Sequence, residues 1–134
     1  MFGCLDTERG TFVYANAGHP AGYVMNAFGE VKAHLSSTSL PLAISSDAKF
    51  TLGEPVQLSP GDLVFMLTDG ILEARSPDGI SFGERRALEA VRSHRQMSAK
   101  EIVEGLCRTV GEFSRRQKPE DDITALIVSV QPDR

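Results

Sequence analysis

The chain has 134 residues, 41% apolar and 24% charged, with a formal net charge of −4. That length suits one domain over 1–134 and excludes two comfortable ones. The scattered Lys and Arg exclude the basic stripe that a nucleic-acid interface needs. Arg85-Arg86 and Arg115-Arg116 are the tightest basic pairs, and both fall in helical segments where they read as solvated faces. No apolar run reaches membrane-span length, and no basic stretch precedes a signal-like apolar segment. A soluble, cytoplasmic protein is the expectation. Cys4 and Cys107 form no CxxC pair and are expected to be buried, reduced thiols.

The first half reads as β. Phe2 to Leu5 and Thr11 to Ala17 are strands around the polar turn Asp6-Thr7-Glu8-Arg9-Gly10. Gly18-His19-Pro20 ends the second. Ala21 to Asn26 and Glu30 to Leu35 follow as strands joined by the tight turn Ala27-Phe28-Gly29, so the meander is antiparallel. After a polar loop around Leu40-Pro41-Leu42, Phe50 to Leu58 is expected as a strand, irregular or at an edge because of Gly53 and Pro55. Ser59-Pro60-Gly61-Asp62 is a turn, and Leu63 to Leu67 is a continuous apolar strand.

The character then changes. Phe82 to about Arg95 predicts a helix. Ser98-Ala99-Lys100-Glu101 fits a capping box for a second, with Ile102, Val103, Leu106, Val110 and Phe113 at helical spacing and Lys118-Pro119 as its end. A last strand is expected from about Asp122 to Val130, then a frayed tail. Strands first, helices late and a returning strand give an α+β fold whose helices cover one face of an antiparallel sheet. His34 and His94 read as surface residues.

Three sets of residues could carry chemistry. Asp69 stands directly after the apolar run and before Gly70, so a rigid strand end would hold its carboxylate. Thr68-Asp69-Gly70 is also what a turn aspartate bonding its own backbone looks like. Asp121-Asp122 opens the last strand. Adjacent acids there point to opposite faces, so one of them at most faces a given site, and a solvated loop is the alternative. If the two strands are antiparallel neighbours, acids at one rim repel unless a cation such as magnesium or manganese lies between them. Third, His19 is fixed between Gly18 and Pro20 after Asn16-Ala17. It is either structural or an acid–base group near neutral pH. There is no G-x-S-x-G elbow and no phosphate loop.

Tyr14-Ala15-Asn16-Ala17-Gly18-His19-Pro20, Leu40-Pro41-Leu42-Ala43-Ile44, Pro60-Gly61-Asp62 through Thr68-Asp69-Gly70-Ile71-Leu72-Glu73-Ala74, Phe82-Gly83 and Asp121-Asp122-Ile123-Thr124 occur in that order. Together they resemble the SpoIIE/RsbU branch of the PPM-type metal-dependent serine/threonine protein phosphatases, over nearly the whole chain. The resemblance implies a sandwich of antiparallel sheets flanked by helices, of which two C-terminal ones fall in this chain. It implies hydrolysis of phosphoserine or phosphothreonine on a small bacterial regulatory protein of the anti-sigma antagonist type, by a water held on two manganese or magnesium ions. By motif position Asp69 and Asp121 match metal ligands. Asn16, Gly18, His19, Gly70 and Asp122 match places around them.

The family's opening Gly-Asp-x-x-Asp-like motif has no counterpart here, since Gly61-Asp62 matches a turn. The chain therefore reads as the later part of such a domain, with weak metal binding, little activity in isolation, and self-association through an exposed sheet. Two other readings stand beside it: a catalytically dead phosphatase-like module that binds a signalling partner, and an unrelated α+β domain with coincidental turn acids.

Overall fold

A computed structural model describes residues 1–115 and 122–131. The element order is β1 (Phe2–Asp6), β2 (Thr11–Ala15), β3 (Gly22–Met25), β4 (Val31–Leu35), β5 (Val56–Gln57), β6 (Leu63–Leu67), α1 (Asp69–Leu72), α2 (Gly83–His94), α3 (Ala99–Phe113) and β7 (Ala125–Ser129). The strands form two sheets, ordered β1-β2-β5 and β4-β3-β6-β7. The chain divides into two compact units, 1–64 with the C-terminal residues from Val130, and 65–129. The fold is α+β with antiparallel sheets, as the residue patterns predict.

In the first unit, β1 and β2 pair antiparallel from Phe2↔Ala15 to Asp6↔Thr11. The turn between them closes because Asp6 Oδ1 accepts the N–H groups of Glu8 and Arg9, and Gly10 takes a positive φ of 61°. In the β3–β4 hairpin, Gly22 pairs with Leu35 and a bulge falls at Val24/Met25. Asn26 organises its turn: Oδ1 accepts from Phe28 and Glu30 N–H, each at 2.9 Å. Phe12, Tyr14, Tyr23, Val24, Met25, Leu35 and Leu58 are buried. The expected strand over Phe50 to Leu58 shrinks to Val56–Gln57. Pro55 has no N–H to give, and Gly53 donates instead to the Tyr14 carbonyl, its bare Cα lying against the Tyr14 ring.

The Gly61-Asp62 turn is held by its own carboxylate. Asp62 is buried, and Oδ2 accepts from Lys32 Nζ at 2.7 Å and from Ser59 N–H at 2.9 Å. Those bonds employ Asp62 structurally, in agreement with its reading as a turn residue.

In the second unit, Phe65, Leu67, Ile71, Phe82, Ala87, Val91, Ile102, Leu106 and Val110 form the core. The capping box is present: Ser98 Oγ accepts from Glu101 N–H, and the Glu101 carboxylate accepts from Ser98 N–H at 2.9 Å. The Ser98 hydroxyl, which donates to the same carboxylate at 2.6 Å, and after it the Ser98 N–H lower the Glu101 carboxyl from its ordinary value. Helix α3 lies on β7 and against α2. Phe82 and Phe113 meet edge to face at 5.3 Å, and the Arg86 guanidinium sits 4.8 Å over the Phe113 ring.

Three expectations change here. Helix α1, a single turn, follows β6 directly and is too short for any periodicity to announce. His94 is not a plain surface residue: its Nδ1 lies 2.8 Å from the Ala90 carbonyl, and its ring occupies the space that a Cβ on Gly105 would need. Cys4 and Cys107 are free but exposed, on an edge strand and an outer helix face, although partial desolvation still raises the Cys107 thiol. Helix α3 ends at Phe113, and the expected stop at Lys118-Pro119 lies outside the described residues. Among the described residues no helix is long and apolar enough to cross a membrane.

Candidate active site

Strand β6 delivers Asp69. Its side chains are buried almost throughout, so Leu67 ends the strand as a fixed point, and Thr68 turns the chain with extended dihedrals (φ −79°, ψ 162°) into α1. Asp69 is the first residue of that turn and is exposed. Its Oδ1 accepts the N–H of Gly70 at 3.0 Å. The turn-aspartate reading is therefore half right, because one oxygen bonds local backbone. Oδ2 takes no hydrogen bond among the described residues. Gly70 itself is buried under the turn.

Strand β7 is the neighbour of β6. Thr68 N–H donates to the Thr124 carbonyl at 3.1 Å, and Val130 N–H donates to the Asp62 carbonyl at 2.9 Å. The two ends of the pairing advance in opposite directions by the same interval, so the strands are antiparallel, which is the condition under which their acid-bearing ends would share a rim. The Thr68 hydroxyl adds a second tie. Its Oγ1 accepts Thr124 N–H at 3.0 Å and lies 3.3 Å from the carbonyl oxygens of both Asp122 and Thr124. Because Thr124 spends its N–H on a side chain, the regular strand begins at Ala125, later than expected.

The stretch from Asp122 to Thr124 thus arrives beside Thr68, the residue before Asp69. Asp122 is exposed, and its backbone belongs to this corner. Asp121 lies outside the described residues. Among the described residues no three His, Cys, Asp or Glu side chains form a metal cluster. The donor present, an exposed carboxylate with an uncommitted oxygen on rigid backbone, is of the hard-oxygen kind that magnesium and manganese take.

Asn16, Gly18 and His19 form a structure of their own in the first unit. Asn16 is fully buried. Its Oδ1 accepts His19 N–H at 2.9 Å, and its Nδ2 donates to the carbonyls of His19 and Leu35 at 3.0 and 3.1 Å. Its backbone carbonyl accepts from Thr38 and Ser39 N–H. Gly18 has φ +84°, and a Cβ there would fall 2.6 Å from Pro41 Cγ. His19 Nδ1 lies 2.8 Å from the Pro20 carbonyl, which can only accept, so Nδ1 carries the proton and Nε2 is bare in the neutral ring. The residue types signalled a special loop. The dependence of that loop on Asn16 rests on partners as far away in sequence as Leu35, which spacing does not reveal.

A family model described as Stage II sporulation protein E (SpoIIE) matches residues 1–131. The chain is 31% identical over 129 residues to Protein IcfG of Synechocystis sp., covering 96% of this chain and 20% of that protein. It is 28% identical over 122 residues to Phosphoserine phosphatase RsbU of Bacillus subtilis, covering 90% of this chain and 35% of that protein. The chain therefore spans about a fifth and about a third of the lengths of these two relatives. Among solved structures it is similar to the SiaA-PP2C domain of Pseudomonas aeruginosa, with TM-score 0.78, 26% identity, and coverage of 94% of this chain and 49% of that one. The PP2C phosphatase domain of SpoIIE from Bacillus subtilis shares the fold at TM-score 0.76 and 19% identity, over 98% of this chain and 37% of that one. Ordered motifs, antiparallel acid-bearing strands and a family match across nearly every residue leave no room for an unrelated α+β domain: the chain belongs to the SpoIIE family, the SpoIIE/RsbU-like branch of the PPM-type phosphatases.

Proposed function

We propose that this chain carries part of the active site of a metal-dependent serine/threonine protein phosphatase, with Asp69 and Asp121 as metal ligands. The observation that carries the reading is the Thr68–Thr124 junction, which brings the end of β6 and the approach to β7 to one corner. Asp69 offers a carboxylate oxygen free of local hydrogen bonds there, and Asp121 stands one residue before the Asp122 backbone that Thr68 meets. Manganese or magnesium, when bound, supplies an acidified water and neutralises phosphate charge.

The chain's own residues do the rest. Asp69, anchored by a buried strand and by the Gly70 N–H, holds its ligand position at little entropic cost. Asp122 and Gly70 shape the corner around it. In the first unit, taken by itself, Asn16 and Gly18 fix the loop that carries His19, whose Nε2 is suited to take a hydrogen bond from a substrate group. The substrate class is phosphoserine or phosphothreonine on a small regulatory protein of the anti-sigma antagonist kind. The name of the Bacillus subtilis relative, a phosphoserine phosphatase, supports it. Self-association is expected through β1, an edge strand with Phe2 73% and Leu5 43% exposed.

Manganese-dependent hydrolysis of a small aryl phosphate tests the reading. Slow turnover that disappears in Asp69→Asn is expected, and turnover surviving that substitution would overturn the ligand role. A catalytically dead module that binds a signalling partner is the alternative, and it predicts no turnover with manganese at any concentration.

A further inference from the structure

Strand β1 is an edge of its sheet, with β2 on one side only among the described residues. The β2 ladder shows which of its backbone groups face outward. Beside β5, the carbonyls of Gly10 and Tyr14 accept from Leu58 and Gly53 N–H. Backbone direction alternates along a strand, so Thr11, Val13 and Ala15 turn their polar groups toward β1. Their partners there are Asp6, Cys4 and Phe2. The N–H and C=O groups of Gly3 and Leu5 therefore point away from the sheet, on either side of Cys4. Gly3 and Leu5 share a face with Tyr14 and Phe12, and a Cβ on Gly3 would fall 2.5 Å from Phe12 Cζ. On that face Leu5 projects, and Gly3 leaves a gap beside the Phe12 ring. Phe2, Gly3, Cys4 and Leu5 carry no charge, and the strand has no proline or bulge, so the usual devices against edge pairing are missing from it.

We propose that β1 pairs antiparallel with β1 of a second copy of this chain, about a two-fold axis at Cys4. The proposal rests on the self-association stated above, to which it gives a register, and is independent of the metal site. In this register Gly3 of one copy faces Leu5 of the other, and each such pair exchanges both backbone hydrogen bonds. Each Leu5 then lies over a bare Gly3, against the Phe12 ring beside it. One strand offers both the projection and the gap, equally far from Cys4, which is what an isologous contact requires. Charge selects the direction. Parallel pairing in register sets Asp6 against its own copy, whereas the antiparallel arrangement sends the two carboxylates to opposite ends, each across from Phe2. Two-fold axes at Gly3 or Leu5 also match the outward groups, but they run off one end of the strand. Only the axis at Cys4 pairs Phe2–Asp6 throughout. It makes Cys4, which is free and exposed, a non-hydrogen-bonded pair with its own copy. Their Cα atoms would be about 4.5 Å apart, within the span of a disulfide.

The test joins sedimentation velocity of the reduced whole chain to diamide oxidation of a Cys107→Ser chain, in which Cys4 is the only thiol. Diamide takes one hydrogen from each of two thiols as the sulfur–sulfur bond forms. The chain is expected to pass from monomer to dimer with rising concentration, and the dimer to close a disulfide between its two Cys4 residues. Leu5→Pro removes an outward N–H and spares the β1–β2 ladder, whose bonds come from Phe2, Cys4 and Asp6. Leu5→Lys keeps the backbone and puts a charge on the edge. Each is expected to weaken dimerisation by about tenfold or more, because symmetry removes every lost interaction twice, and to slow disulfide closure alike. Circular dichroism confirms that each variant is folded, and Leu5→Lys decides alone if proline is not tolerated. A monomer at every concentration would overturn the self-association itself. A dimer indifferent to Leu5→Lys, or one whose Cys4 residues do not join, would overturn this register and place the contact on another surface. Both outcomes leave the phosphatase reading standing, since turnover of the aryl phosphate decides that separately.

Discussion

Replacing Asn16 tests how the His19 loop is held. The side chain makes three hydrogen bonds to backbone: one accepted from His19 N–H, one donated to the His19 carbonyl and one to the buried Leu35 carbonyl. Asn16→Ala strands a donor and two acceptors. A group that can rehydrate loses on the order of 1 kcal/mol and a buried one more, so the unit should lose about 3 kcal/mol. Asn16→Asp separates the contributions. It keeps an acceptor for His19 N–H but points oxygen at two carbonyls inside the protein. Burial and those carbonyls disfavour its charge, so its folded pKa is raised above the unfolded value. A raised folded pKa means relative stability that is present at low pH and lost as pH rises through that pKa. The Asn16→Asp penalty should therefore be smaller near pH ~4, close to the ordinary aspartate pKa, than at pH ~7.5. The Asn16→Ala penalty should be the same at both. With no tryptophan in the chain and its two tyrosines, Tyr14 and Tyr23, both in this unit, urea unfolding followed by tyrosine fluorescence reads the loss directly. An alanine penalty under about 1 kcal/mol, the net worth of a single hydrogen bond, or an aspartate penalty indifferent to pH, would refute the reasoning.

Gly18→Ala combines a φ of +84° with a Cβ 2.6 Å from Pro41 Cγ, so it should cost about 2 kcal/mol in the same assay; a loss near zero would mean that the loop simply relaxes. Ser98→Ala removes half of the α3 capping box and should cost about 1 kcal/mol, seen as faster amide exchange in the first turn of α3. The Glu101 half is pH-dependent with the opposite sign to the Asn16→Asp case. Because its folded pKa is lowered, its support is complete above the ordinary glutamate pKa and is lost as pH falls through the lowered one. Acidification should therefore loosen the first turn of α3, and Ser98→Ala should blunt that response.

Much of this molecule could be read from its residues because local and tertiary preferences agree. The Asp6 and Asn26 turns, the capping box at Ser98 and the apolar run of β6 each form where their patterns place them. The residues showed one carboxylate closing a strand and another opening one, but that β6 and β7 are antiparallel neighbours entered only as a condition, and it is the Thr68–Thr124 and Asp62–Val130 pairing that meets it. What escaped has a common cause, which is that partners distant in sequence decide it. Thr68 looked like turn punctuation until Thr124 was found at its hydroxyl. Asn16 belonged visibly to an unusual loop, but its hold on Leu35 spans most of the β3–β4 hairpin. His94 carries no local sign that it fills the space left by Gly105 on the next helix. Phe50 to Leu58 has strand composition, and Gly53 and Pro55 correctly marked it as irregular, but that only Val56–Gln57 pair, with Phe12 and Thr11, is decided by a strand more than forty residues earlier.

Paramagnetic broadening by Mn2+ bears most directly on the corner at which Asp69 and Asp121 are held to meet. In one titration followed by amide resonances, signals from Asp69-Gly70 and from Asp121 through Ile123 should fade together at a single ion concentration, and Asp69→Asn should abolish both effects. Broadening of one stretch without the other, or two midpoints well apart, would contradict a shared cation between the ends of β6 and β7.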